Sequence, residues 1–155
     1  MIAKIVSGGQ TGVDRAALDF ALESGLPCGG WCPATRKAED GPIPARYPLT
    51  ETPTAEYAQR TEWNVRRSDA TLVLMRGAPA GGTALTIELT KRYGKPCLLV
   101  DISNPVDFAS IREWYRGNNV RILNVAGPRE SEAPQIYTQA KAVMHELFAP
   151  SGRQT

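Results

Sequence analysis

The chain opens on Ile2-Ala3-Lys4-Ile5-Val6, which runs straight into Ser7-Gly8-Gly9-Gln10-Thr11-Gly12. Ile2, Ile5 and Val6 suit a buried, pleated strand. The three glycines open positive φ and let backbone N–H groups come close to a ligand. From Gly12 to Ser24 the pattern is helical, with Val13, Ala16, Ala17, Phe20 and Ala21 on one broad face and Gly25 as the stop. The first N–H groups of a helix lack partners within it and stand at the positive end of its dipole. A strand, a glycine turn and a helix entry in this order seat an anion, commonly phosphate. Arg15 is placed to complete such a site. Asp14 either complements the dipole as an exposed first-turn residue or opposes an anion, and spacing does not separate the two.

The same alternation continues down the chain. A short strand is expected over residues 26–31, weakened by Gly29 and Gly30. Residues 32–53 carry Pro33, Pro42, Pro44, Pro48 and Pro53, which exclude a helix and fix an extended path. Trp31, Ile43, Tyr47 and Leu49 give this stretch apolar anchors, so it reads as an ordered functional loop. Thr54 is expected to cap a helix over 54–68. Further strands are expected at 70–75, 97–100 and 120–124. Helices are expected at 83–93, at 105–116 with Asn104 as cap, and from about Ser131 to Phe148. Strand–helix alternation of this kind predicts an α/β fold: a Rossmann-like three-layer sandwich with a mostly parallel sheet and helices on both faces. Residues 1–150 read as a single ligand-binding domain and 151–155 as a frayed tail.

At 155 residues with 42% hydrophobic and 22% charged side chains, the chain suits one ordinary globular domain. A formal charge of +2 argues for neither nucleic acid nor membrane as partner. No apolar run reaches membrane-span length and no signal-peptide pattern opens the chain, so a cytoplasmic protein is expected. Cys28, Cys32 and Cys97 lack zinc spacing and the one histidine, His145, is remote from them, so three reduced thiols and no metal site are expected.

In a doubly wound sheet, ligands lie beyond the carboxyl ends of the strands, where strand order reverses. Three of the loops there hold the unusual residues. The first, at Ser7 to Gly12, lacks the lysine of a P-loop, which argues against nucleotide hydrolysis in that style. The second repeats the device: Gly81, Gly82 and Thr83 stand at the next helix entry after Ala78-Pro79-Ala80. The third, Gly127-Pro128-Arg129-Glu130-Ser131, brings an arginine to another helix entry. Arg60, Thr61 and Asn64 share one stripe of their helix and read as a solvated face. Glu88 and His145 read as ordinary polar helical residues, and no catalytic set is expected. A bulky residue at Gly9 or Gly82 is expected to abolish ligand binding and leave the fold intact.

Several segments resemble the molybdenum carrier proteins. They are Ile5 through Ala16 around Ser7-Gly8-Gly9-Gln10-Thr11-Gly12, Gly30-Trp31-Cys32-Pro33, Arg36 through Pro44, Tyr47-Pro48-Leu49, Arg60 through Val65, Ser68 through Leu72, and Asn124 through Ser131. The wider group is Rossmann-like and includes lysine-decarboxylase-like proteins and cytokinin-activating phosphoribohydrolases. The latter carry Pro-Gly-Gly-x-Gly-Thr-x-x-Glu, where this chain has Ala80-Gly81-Gly82-Thr83-Ala84-Leu85-Thr86-Ile87-Glu88. The missing proline, third glycine and threonine favour a binding protein over the hydrolase.

The resemblance implies a protein that binds, protects and carries the molybdenum cofactor, molybdopterin phosphate, for storage or delivery to an acceptor molybdoenzyme. The alternative it implies is a nucleotide-binding protein or a nucleoside monophosphate phosphoribohydrolase. Expected cofactor-binding residues are Ser7, Gly8, Gly9, Gln10, Thr11, Gly12, Arg15, Trp31, Cys32, Arg36, Lys37, Gly81, Gly82, Thr83, Arg129, Glu130 and Ser131. Arg15, Arg36, Lys37 and Arg129 would add charge-assisted bonds to the anionic groups. The N–H edge of the pterin would be read by Asp14, Glu39, Asp40 or Glu130. No protein ligand to the molybdenum is implied, and family members are expected to self-associate.

Overall fold

The computed structural model describes residues 1–150, so the expected tail at 151–155 lies outside the described residues. In chain order the elements are β1 (Lys4–Val6), α1 (Val13–Ser24), β2 (Cys28–Gly29), β3 (Trp31–Cys32), β4 (Lys37–Ala38), β5 (Gly41–Pro42), β6 (Thr50–Glu51) and α2 (Tyr57–Arg66). Next come β7 (Ala70–Met75), α3 (Gly81–Arg92), β8 (Cys97–Asp101), α4 (Phe108–Gly117), β9 (Ile122–Ala126) and α5 (Ile136–Leu147). The expected α/β sandwich is present. β2, β1, β9, β7 and β8 form one sheet in that order, and every pairing in it is parallel. No helix among the described residues is long and apolar enough to cross a membrane.

Right-handed crossovers fix the layers. The connection β1–α1–β2 runs toward one edge and β7–α3–β8 toward the other, so α1 and α3 cover opposite faces. α4 and α5 join α1, and one core cluster holds Phe20, Ile111, Tyr115, Ile136 and Met144 against Ile5, Leu72 and Leu123 of the sheet. α2 lies beside α3 on the other face. All six residues of β7 are buried, as expected for an interior parallel strand. The last strand, β9, sits in the middle. Counting β9 first, the order becomes 3-2-1-4-5, the doubly wound dinucleotide-binding order without its sixth strand, and its reversal point falls between β9 and β7.

Several expected boundaries move. The strand at 26–31 breaks at Gly30 (φ 130°), which turns the chain out of the sheet. Trp31 and Cys32 then pair in parallel with Thr50 and Glu51 in a separate small sheet. Residues 32–53 are ordered, as anticipated, with β4 and β5 as an antiparallel pair inside them. The second helix starts at Tyr57, after Glu56, and not at Thr54. α4 starts at Phe108, where the Asp107 carboxylate accepts the Ser110 N–H, so Asp107 replaces Asn104 as cap. α5 starts at Ile136, after Gln135 in the left-handed region, and not near Ser131. β9 extends through Ala126 because Val125 is fully buried beside β7.

Asp69 ties the starts of β7 and β9 together. Its carboxylate accepts the N–H groups of Arg121 (2.9 Å) and Ile122 (2.8 Å), and these bonds hold its carboxyl below the ordinary range. A depressed carboxyl stabilises the fold above its unfolded value of 3.8 and loses that contribution as pH falls through the folded value. Asp69→Asn is therefore expected to flatten the acid limb of thermal stability below pH 3.8 while leaving the neutral fold in place, which a melting series against pH checks. A Cβ at Gly30 would overlap the Ser7 carbonyl, and one at Gly127 the Leu74 carbonyl. Gly30→Ala and Gly127→Ala are each expected to cost about 3 kcal/mol or more in urea unfolding, and a loss below about 1 kcal/mol would refute these contacts.

Candidate functional site

A narrow, solvent-open cleft lies beyond the carboxyl ends of β1 and β9, at the reversal of strand order. Gly8 and Gln10 of the first loop line it, with Asp14 of α1. Arg60 and Asn64 come from α2, and Gly82, Thr83 and Thr86 from α3. Asn124 through Gly127 form its floor, and Arg129 and Glu132 stand at one side.

Arg60 is the least expected of these. The face read as solvated is buried: Arg60 is 7% exposed and Asn64 3%. The Arg60 guanidinium donates one hydrogen bond, from Nη1 to the Gly8 carbonyl (2.6 Å), and lies 3.9 Å from Asp14 Oδ2. Burial lowers its pKa, against the pull of Asp14. Burial pushes the Asp14 carboxyl up, and Arg60, the Gln10 N–H and the Ser7 hydroxyl oppose that rise. Three cations surround the Tyr57 ring: Lys37 Nζ at 4.7 Å from its centroid, and the Arg60 and Arg129 guanidinium carbons at 5.2 and 5.3 Å. Arg129 is partly balanced by Glu132 at 2.9 Å.

The glycine loop after β7 meets the expectation of an open helix entry. Gly82 has nothing within 4 Å of a would-be Cβ, and Thr83 is buried against the cleft. Gly81 precedes them at φ 53°, outside the lining. The first glycine loop is more enclosed than the sequence suggests. Ser7 Oγ donates to the Val125 carbonyl (2.7 Å), the Val13 N–H to the Pro128 carbonyl (3.3 Å) and the Gln10 N–H to Asp14 (3.2 Å). A Cβ at Gly12 would strike Pro128 and Glu130 backbone, and one at Gly9 would strike Leu49 and Ile43 side chains at 2.6 and 2.8 Å. Gly9 is thus a packing position, and the expectation that a bulky residue there spares the fold is corrected.

Several other expected site residues serve as struts. Arg15 donates from Nε to the Gly9 carbonyl (2.8 Å) and holds Asp40 with two bonds of 2.8 and 2.9 Å. Arg36 donates to the carbonyls of Ile43, Leu49, Pro44 and Tyr47, which folds the 32–53 loop around one guanidinium. Thr11 and Ser131 hydroxyls both reach Glu39. Glu130 accepts the N–H groups of Gln135 (2.6 Å) and Tyr137 (3.0 Å) and so closes the entry of α5. Cys32 is fully buried with Leu18, Ile43 and Tyr47. Trp31 stacks edge-on to Trp63 at 4.8 Å, and its backbone exchanges two hydrogen bonds with the Asn64 amide.

Of the four acids considered for an N–H edge, only Asp14 lines the cleft. Glu88 pairs with Arg92 at 3.3 Å, its side chain 65% exposed, and is not in the cleft wall. His145 packs edge-on to Phe20. Among the described residues no three His, Cys, Asp or Glu side chains form a group able to hold a metal. Sequence reasoning missed Arg60, Asn64, Thr86 and Asn124. A signal existed for one of them: polar Asn124 interrupts an otherwise apolar strand, and its amide donates to the Thr71 hydroxyl of β7 at 3.1 Å.

The model of the circularly permutated YpsA SLOG family matches residues 5–148. The chain belongs to that family. The name accounts for the sheet, whose order becomes the ordinary one when β9 is counted first. The chain is also similar to a solved protein of Syntrophus aciditrophicus SB named "putative molybdenum carrier protein". The two are 43% identical with a TM-score of 0.90, and the match covers 96% of each chain. The family resemblance read from the sequence thus holds. A distant likeness to (E)-4-hydroxy-3-methyl-but-2-enyl diphosphate reductase has 10% identity and a TM-score of 0.39, covers 94% of this chain and 59% of that one, and lends nothing to the site. No curated protein matches.

The strut assignment of Arg36 carries its own expectation. Arg36→Ala removes four donors from loop carbonyls, at about 1 kcal/mol each at most. Limited proteolysis is expected to nick the variant first within residues 32–53, and an unchanged cleavage pattern would refute the role.

Proposed function

We propose that this protein binds the molybdenum cofactor as cargo, in the cleft at the reversal of strand order, and holds it for delivery to a molybdoenzyme. The observation that carries the reading is the convergence of Lys37, Arg60 and Arg129 on Tyr57, with Arg60 and Arg129 lining the cleft together with Gly82 and Thr83 of the α3 entry. Three cations packed round one ring repel each other, and Arg60 is buried with a single hydrogen bond. A buried cation is costly unless an anion is near it. Asp14 at 3.9 Å balances it only in part. A phosphate-bearing, dithiolene-bound metal group supplies the missing negative charge. The glycine entry of α3 offers backbone donors to the same region, with Gly82 leaving room for close approach.

The solved relative named as a molybdenum carrier supports the class of cargo. The hydrolase alternative needs a carboxylate at the reacting bond, and its frame residue Glu88 lies on the exposed side of α3 with Arg92. The protein's own residues then orient and shield the cargo, and no bond is broken on it.

The protein purified without air is expected to carry molybdenum and a pterin that fluoresces after oxidation, in about equal amounts. It should also restore activity to a cofactor-free molybdoenzyme. Release of free base from a nucleoside monophosphate, with no bound pterin, would overturn the reading. Gly82→Leu fills the open space at the α3 entry, where nothing lies within 4 Å of the new Cβ. It is expected to abolish cofactor retention while changing unfolding free energy by no more than about 0.5 kcal/mol.

A further inference from the structure

Two side chains in the cleft remain unexplained by a phosphate or a metal group. Gln10 is 6% exposed, and its Oε1 accepts the N–H groups of Thr11 (3.1 Å) and Glu39 (2.9 Å). Those two donors fix the amide's orientation, since the reversed amide would set N–H against N–H. Nε2 is left on the other side, buried and without a partner. Buried amide nitrogens nearly always have an acceptor, so an orphan in a cleft wall marks a place where a ligand supplies one. Asp14 lines the same cleft. Its Oδ2 accepts the Gln10 N–H, and a carboxylate has about four acceptor sites, so capacity remains. A donor lacking an acceptor and an acceptor with spare lone pairs therefore belong to neighbouring residues of one wall.

We infer that Gln10 and Asp14 read the edge of a heterocycle in which N–H donors stand beside a carbonyl oxygen. The chemical class is a 2-amino-4-oxopyrimidine edge, which pterins and guanine share. The Asp14 carboxylate accepts the ring N–H and the exocyclic amino group. Gln10 Nε2 donates to the ring carbonyl oxygen. Arg60, 3.9 Å from Asp14, balances the carboxylate's charge and leaves its outer lone pairs to the ligand. This deepens the carrier reading and rests on it for the location of the ligand. It assigns the heterocycle to the first-loop side of the cleft and the anionic groups to the α3 side.

Titrations with a pterin monophosphate, the matching lumazine monophosphate (oxo in place of the 2-amino group) and guanosine monophosphate test the inference. The intact protein is expected to prefer the pterin over the lumazine by roughly tenfold or more, because the oxo group would face the carboxylate. Asp14→Asn presents an amide there and is expected to erase or invert that preference. Gln10→Glu keeps the acceptor for Thr11 and Glu39 but removes the donor; the buried carboxylate lowers the melting temperature, and the folded variant should bind the pterin roughly tenfold more weakly. Equal affinity for pterin and lumazine, shifted alike by Asp14→Asn, would overturn the edge assignment and leave the carrier reading standing. Binding of guanosine monophosphate with rejection of the pterin would uphold the edge assignment and overturn the carrier reading.

Discussion

Close backbone contact at the carboxyl ends of the strands is the constraint on which the rest of this molecule depends. The turns after β1, β2 and β9 meet there, the last against the end of β7, with no side chain between the touching backbones. Gly30 lies on the Ser7 carbonyl, Gly12 on Pro128, and Gly127 on the Leu74 carbonyl. The Ser7 hydroxyl bonds the Val125 carbonyl across the same junction. Loops with larger residues would be pushed apart, and the strand ends would splay. Because the turns can touch, the last strand fits between the first and the seventh, and a cleft opens where the two halves diverge.

The arginines show how one residue type takes on different work in one small domain. Arg15 and Arg36 are held by a carboxylate and by loop carbonyls, and their charge is fully engaged. They convert the proline-rich stretch from a floppy connection into a wall that leans on Gly9 through Ile43 and Leu49. Arg60 is buried as deeply as Arg15 but carries one hydrogen bond and a distant carboxylate. Burial lowers its pKa, and the charge of Asp14 opposes that shift. The guanidinium groups of Arg15 and Arg36 brace the framework, whereas that of Arg60 lines the cleft.

Much of the fold was legible in advance. The buried run of β7, the broad apolar face of α1 and the repeated glycine entries are local patterns, and each element appeared where its period placed it. Ends were less legible. Thr54 and Asn104 are good caps in isolation, but the chain bends at both without starting a helix, and Glu56 and Asp107 stand at the helix starts. Within the site, Gly8, Gln10, Gly82, Thr83 and Arg129 were picked out and do line the cleft. Arg60 and Asn64 were seen as a stripe but assigned to solvent, because helical spacing says which residues share a face and not what that face meets.

What the sequence determined by itself was the class of fold, the family and the glycine-rich entries of α1 and α3, since these rest on short-range periodicity and on residues within one segment. The tertiary structure decided the strand order, with β9 in the centre, because pairing among parallel strands joins residues more than fifty positions apart. It also decided which charges are engaged. Arg15 was satisfied by Asp40 and Glu39 by Thr11 and Ser131, while Gln10 Nε2 was left without a partner and Arg60 with one bond. Hydrogen-bond satisfaction depends on the directions of side chains brought together from distant segments, and no local pattern encodes it.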